Sequence, residues 1–265
     1  MADDSSGTTF TKSDPGAPGG FFMTEAAGLR WLAGAGGARV VEVLEVSDTA
    51  VVLERLEQSS PQRVDAEQFG GDLARTHLAG AEKFGALPPG ADQYFFGPMA
   101  QPLALPEVPS DRFGEFYADA RVEPVTRWCR DDGAIDDELA DRVARVCADL
   151  RDGRWDLGAD GEPVRPARVH GDLWSGNLMW TADGAVLIDP AAHGGHPESD
   201  LAMLQLFGAP HLDAIVEGYD AVSPLADDRT DRIGLHQLFP LLVHALLFGG
   251  GYAASVRTAV SALLW

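Results

Sequence analysis

Asp172, Asn177 and Asp189 are the residues whose types and spacing could carry chemistry. Asp172 and Asn177 stand five positions apart in RVHGDLWSGNLMW (168–180), and Asp189 closes the apolar run AVLID twelve residues after Asn177. Phosphoryl transfer asks little covalent work of a protein. It needs a base to orient and deprotonate an acceptor hydroxyl, and ligands for the magnesium that bridges phosphate oxygens. Oxygen donors suit this hard cation, which keeps several of its waters. In that chemistry Asp172 is the base, and Asn177 and Asp189 are the metal ligands. The competing role is a structural one, because Asp and Asn often stabilise turns. His-Gly before Asp172, Gly176 before Asn177 and an Asp-Pro step after a strand all favour the catalytic role.

Such a cluster must be held by turns between short strands, and the local pattern supplies them. ARVH, NLMWT and AVLID read as strands linked by turns. Upstream, TTFTK (8–12) reads as a strand and SDPGAPGG as a turn. FFMTEAAGLRWLAGAG has apolar residues at Phe22, Ala26, Leu29 and Leu32, the spacing of an amphipathic helix. ARVVEVLEV and AVVLERL are strand-like, with SDT between them. From residue 61 the pattern turns helical, first in VDAEQFGGDLARTHLAG. A Pro-rich connection follows at 87–109, too long for a simple turn. Two helices are expected near 111–130 and 135–151, and four more from 198 onward. This is an α+β chain in which a small β-containing part precedes a larger helical one.

The bulk composition narrows the partners. The 265 residues are 45% hydrophobic and 23% charged, and 41 acids against 20 Lys and Arg leave a net charge of −21. So acidic a surface disfavours nucleic acid and anionic membranes, and an anionic ligand needs a local device such as a metal ion or one placed lysine. MADDSSGTTF lacks the basic and apolar regions of a secretory signal. LHQLFPLLVHALLFGG (235–250) includes His236, Gln237, Pro240 and His244, which fits a buried helix rather than a membrane span. Cys129 and Cys147 form no CxxC pair, so neither zinc nor a disulfide framework is expected, and reduced thiols of a cytoplasmic protein are the expectation.

HGDLWSGN, followed by IDPAAHGGHPESDLAMLQLFG, resembles the fructosamine kinase (ketosamine-3-kinase) family over nearly the whole chain. That family has the protein-kinase-like fold, beside aminoglycoside phosphotransferases and choline kinases. Trp174 discriminates among them, since aminoglycoside phosphotransferases usually carry His-Pro there. The resemblance implies a two-lobe fold, with a partial nucleotide-binding lobe at 1–56 and a catalytic and acceptor-binding lobe at 57–265. It implies ATP and Mg2+ as cofactors and a ketosamine or other glycated amine as the small-molecule partner. Phosphorylation of a sugar hydroxyl would give an unstable product that releases the amine, which is deglycation.

Matched residue by residue, Asp172 is the base and Asn177 and Asp189 bind magnesium. Lys12 and Glu25 match the strand-lysine and helix-glutamate pair that positions the nucleotide phosphates. The backbone near Glu54 to Leu56 falls where an adenine edge would bind. Asp200 matches the buried acid that braces the catalytic loop, with helix N-capping as its alternative. His170 is expected to pack and hydrogen-bond within the loop. His193 and His196 have H-x2-H spacing but no Cys or third His nearby, and are expected in a loop lining the acceptor pocket with Trp174. In the connection, Phe113 stands in for a Trp of the family, whereas its Asn has no match.

The resemblance also has a gap. Family members carry two strands and a glycine-containing phosphate loop before the lysine strand, and only eleven residues precede Lys12. GAPGG (16–20) and GAGG (34–37) do not follow the required strand–loop–strand arrangement. The expectation is therefore a truncated small lobe whose exposed edge a second copy could pair with, as a homodimer. An aminoglycoside- or choline-type kinase, or a non-catalytic nucleotide-binding homologue, are the rival expectations.

Overall fold

The computed structural model describes residues 7–158 and 161–264. The acidic start at residues 1–6 lies outside the described residues. A three-stranded antiparallel sheet opens the chain: β1 (Thr9–Ser13), β2 (Val43–Ser47) and β3 (Ala50–Glu54), in the order β1-β3-β2. Between β1 and β2 runs α1 (Phe21–Ala33), which buries Phe22, Ala26, Leu29 and Leu32, the residues whose spacing predicts it. Strand β2 is shorter than ARVVEVLEV implies, because Arg39 to Val41 pair with Leu187 instead, and a bulge between Val43 and Glu45 shifts its register with β3.

The sheet does not stand apart from the rest. Val41 N–H donates to the Leu187 carbonyl at 3.0 Å, and Leu187 N–H donates to the Arg39 carbonyl at 2.9 Å. Leu187 belongs to a hairpin formed by β7 (Leu178–Thr181) and β8 (Gly184–Leu187), which carries Asn177 at one end and Asp189 just past the other. Val51 and Leu53 accordingly share one apolar core with Phe69, Trp180, Val186 and Ile215. That core draws residues from both sides of residue 56.

The helical part begins with α2 (Arg63–Leu78). The connection after it is not irregular throughout, since β4 (Tyr94–Phe96) and β5 (Leu103–Leu105) pair as a hairpin. α3 (Phe113–Tyr117), a π-helical turn at Ala118–Val122 and α4 (Glu123–Asp131) follow, then α5 (Asp137–Arg151). Asp136 starts α5 by accepting the Leu139 N–H at 2.8 Å. β6 (Ala167–Val169) leads into the His-Gly-Asp motif and pairs with β9 (His193–Gly195), a strand the sequence pattern does not announce. α6 (Glu198–Phe207), α7 (Leu212–Val222), α8 (Arg229–Phe248) and α9 (Tyr252–Leu263) complete the chain. A second core holds Phe113, Phe116, Val143, Leu238 and Leu242. No described helix is long and apolar enough to cross a membrane. Cys129 and Cys147 are free, buried thiols whose pKa burial pushes up to about 12.

Candidate active site

His-Gly-Asp works as a unit because of what each residue must avoid. Gly171 has φ +82°, and a Cβ there would lie 2.1 Å from the Ala191 carbonyl oxygen, so a side chain would push the loop off β9. The buried carboxylate of Asp200, in the first turn of α6, grips the loop from behind. It accepts the Gly171 N–H at 2.9 Å and the His170 N–H at 2.8 Å. His77, at the end of α2, adds a contact to Asp200 at 3.1 Å and one to the Tyr219 hydroxyl at 2.9 Å. Burial opposes the ionisation of Asp200, yet the hydrogen bond and charge of His77, with His170, hold its pKa below the usual carboxylate value. His170 Nε2 donates to the Ile188 carbonyl at 2.8 Å, so its Nδ1 is free to accept the Asp172 N–H at 3.3 Å. Burial lowers its pKa and keeps the ring neutral.

On that base the reactive groups converge. Asn177 donates its amide N–H to the Asp172 carbonyl at 2.8 Å, to Asp172 Oδ2 at 3.0 Å, and more weakly to the Asp189 carbonyl at 3.4 Å. Lys12 on β1 reaches Glu25 of α1 at 2.8 Å and Asp189 at 3.1 Å, which ties the small sheet to the catalytic hairpin. Burial disfavours the charge on Lys12, but Glu25 and Asp189 outweigh it and raise the pKa. Burial carries Asp172 up to about 7; Asp189 and Asp200 add to the rise, while the Asn177 hydrogen bond and Lys12 oppose it. A carboxylate with a pKa near neutrality accepts a proton far more readily than an ordinary Asp.

The donor set suits a hard divalent cation. The Asn177 nitrogen is turned to Asp172, so its oxygen is the atom left to bind a metal. Asp189 offers a carboxylate that is 41% exposed, with only Oδ1 taken by Lys12. Its backbone sits at φ +52°, a conformation that non-glycine residues rarely adopt, which places that side chain at the cleft. Oxygen ligands and open positions of this kind are what magnesium requires.

Lys12, Glu25, Asp172, Asn177 and Asp189 border a cavity of about 610 Å³, together with Phe95 to Met99 of the β4 region and residues of α8 and α9. Trp174 lines it too, and its ring lies where a Cβ on residue 176 would be, 2.2 Å away, so Gly176 makes room for the indole. Glu54 and Leu56 do not border this cavity. The Glu54 side chain is engaged by Arg39 at 3.2 Å and by the Glu42 N–H at 3.0 Å, and its own N–H donates to the Glu42 carbonyl.

His193 and His196 do not border the cavity either. Pairing of β9 with β6 turns both into the helical core, where His193 meets Tyr94 and Phe116, and His196 meets Phe113 and His236. Both are buried, and burial depresses both pKa values, that of His193 to about 3. Phe113 is likewise buried, stacked on Tyr117. Sequence reasoning did not single out His77, Phe95, Phe248 or Tyr252, and it placed His244 only in a buried helix. Each lies far along the chain from the motif it serves, and the nearest signal was the FGGGY stretch between α8 and α9.

The fructosamine kinase family model matches residues 1–265. A ketoamine kinase assigned in Thermus thermophilus is 31% identical over 254 residues, which are 95% of this chain and 85% of that protein. A crystal structure from Thermobifida fusca, assigned as a fructosamine-3-kinase, superposes with a TM-score of 0.86 at 43% identity, covering 97% of this chain and 85% of the other. The choline kinase of Streptococcus pneumoniae, at 15% identity and a TM-score of 0.57 over 97% of this chain and 86% of its own, shares the fold. With the two-part architecture and the Lys12–Glu25–Asp172–Asn177–Asp189 cluster in place, these matches make the chain a phosphotransferase of protein-kinase-like fold that belongs to the fructosamine kinase family.

Proposed function

We propose that this chain transfers the γ-phosphoryl group of ATP to a sugar hydroxyl of a ketosamine. Asp172 accepts the hydroxyl proton as the oxygen attacks the γ-phosphorus; the bond to the β,γ-bridging oxygen breaks, and ADP leaves. Asn177 holds the Asp172 carboxylate through Oδ2, so that one carboxylate oxygen points to the acceptor. Lys12, fixed by Glu25, places a compact positive charge at the nucleotide phosphates. Magnesium held by Asn177 and Asp189 would supply charge neutralisation as the bridging bond breaks. A phosphorylated ketosamine that breaks down to release its amine would make the activity a deglycation step.

The convergence of these five side chains at one end of the 610 Å³ cavity carries this reading, because no apolar-core role accounts for it. A coupled assay of ADP release, with a 1-deoxy-1-alkylamino-fructose as acceptor and phosphorus NMR of the product, is the test. The expected result is acceptor-dependent ADP release and a sugar phosphomonoester that Asp172→Asn does not form. Unchanged turnover in that variant would overturn the assignment of the base.

A further inference from the structure

The large cavity has two unlike ends. Among the described residues, every Lys, Arg, Asp and Glu on its wall belongs to the phosphoryl-transfer end, namely Lys12, Glu25, Asp172 and Asp189. The far wall is a chain of rings. Trp174 meets Phe207 at 6.3 Å between centroids, Phe207 meets His244 at 4.8 Å, and His244 meets Phe248 at 5.3 Å and Tyr252 at 5.0 Å. Gly249 and Gly250, at φ +61° and +62°, reverse the chain between α8 and α9 and so bring Tyr252 beside His244.

Two of these rings are left to water. Trp174 is 41% exposed and Phe248 is 60% exposed, and both border the same cavity. Single exposed aromatics are ordinary, but two on one rim mark a surface that a ligand covers. His244 does not make the wall polar. Its Nδ1 lies 2.7 Å from the Pro240 carbonyl, which can only accept, so the ring proton sits there and Nε2 is at most an acceptor. Burial lowers the pKa of this ring.

A ketosamine also has two unlike halves, a polyol sugar and the substituent on its nitrogen. The sugar must lie against Asp172, since its hydroxyl reacts there. The polar atoms of the ring wall are few, at the Trp174 indole N–H, His244 Nε2 and the Tyr252 hydroxyl, so its ring faces match an apolar substituent better than a polyol. Resting on the ketosamine kinase reading above, we infer that the ring wall of Trp174, Phe207, His244, Phe248 and Tyr252 selects acceptors with an apolar, above all an aromatic, substituent on nitrogen. Acceptors ending in a charged amino-acid group are disfavoured, because this wall has no cation for their carboxylate among the described residues.

Two fructose-derived ketosamines, made from phenethylamine and from glycine, separate the outcomes. With ATP and magnesium, kcat/KM for the phenethylamine adduct should exceed that for the glycine adduct by about tenfold or more, chiefly through KM. Phe248 is largely exposed, so Phe248→Ala removes ring contact with little loss of packing, and it should shrink the ratio to about threefold or less. Tyr252→Leu should shrink it as well. Equal turnover of the two adducts, a preference for the glycine adduct, or a ratio that survives both variants overturns the inference while leaving the kinase reading intact. Failure to phosphorylate either adduct overturns the ketosamine kinase reading itself, and the inference with it.

Discussion

Asp172 is held on two sides, with Asn177 bonded to its carboxylate and carbonyl and Asp200 fixing the two backbone N–H groups before it. Its position therefore owes nothing to a bound substrate. Asp172→Asn should keep the fold and nucleotide binding and lower kcat by about 10²–10⁴, the span of a general base. Steady-state kinetics beside far-ultraviolet circular dichroism check this, and a parallel loss of folded signal would count against a purely catalytic role. Metal removal belongs at the same scale. Lys12 and Asp172 already hold Asp189 and Asn177, so chelation should abolish turnover while moving the melting temperature little. A thermal shift assay with EDTA, then with magnesium restored, tests it. A large drop in Tm on chelation would mean that the metal holds the fold together.

Among the elements, the pairing of α2 with α7 shows how packing far from the chemistry supports the loop. Gly70 and Gly218 let the helices touch through their backbones: a Cβ on Gly218 would lie 1.8 Å from the Glu67 carbonyl, and one on Gly70 1.9 Å from that of Ile215. This close approach sets His77 on α2 between Tyr219 on α7 and Asp200 on α6. Gly218→Ala must force the helices apart, at a cost of about 1–3 kcal/mol typical of overpacking. Urea denaturation should show that loss, and an unchanged midpoint would contradict the backbone contact. His77→Phe keeps the volume but removes a partner from a buried carboxylate, so it should cost about 1–3 kcal/mol and lower kcat. Chemical denaturation and kinetics on one preparation measure both effects.

For the whole molecule, the buried ion pair of Glu198 and Arg232 joins the start of α6 to α8 beneath the catalytic loop. Arg232 donates to Glu198 at 2.7 and 3.1 Å, and both side chains are about 8% exposed. Burial pushes the Glu198 pKa up, but His236, whose Nε2 lies 3.5 Å away, and the hydrogen bonds from Arg232 hold it well below the usual carboxylate range. A carboxyl whose folded pKa lies below its unfolded value stabilises the fold above that unfolded value, and the contribution fades as pH falls toward the folded one. Stability should therefore decline from about pH 4.3, an ordinary Glu pKa, downward. Removing one partner of such a pair leaves a buried charge, so Arg232→Met should cost about 3–5 kcal/mol at pH 7 and flatten the acid dependence. Urea titrations at pH 7 and pH 4 on both proteins measure this, and an equal pH slope in the variant would remove Glu198 from the account.

The chemistry was legible in the chain because it is local. Asp172, Asn177 and Asp189 lie within eighteen residues, flanking a hairpin whose strands and turn are written in alternating apolar and turn residues. The helix of α1 was legible for the same reason, since Phe22, Ala26, Leu29 and Leu32 recur at one spacing. Strand β9 was not, because HGG has no strand propensity and is extended only by pairing with ARV of β6. That pairing turns His193 and His196 into the core, which no spacing rule could have said. The partners of Asp200 and the ring wall opposite Asp172 also escaped, because they come from segments distant in sequence. Local pattern determined which candidate groups stand together in the motif. Tertiary packing decided which side chains brace them and what the acceptor meets, because those contacts exist only once distant helices have buried their apolar faces together.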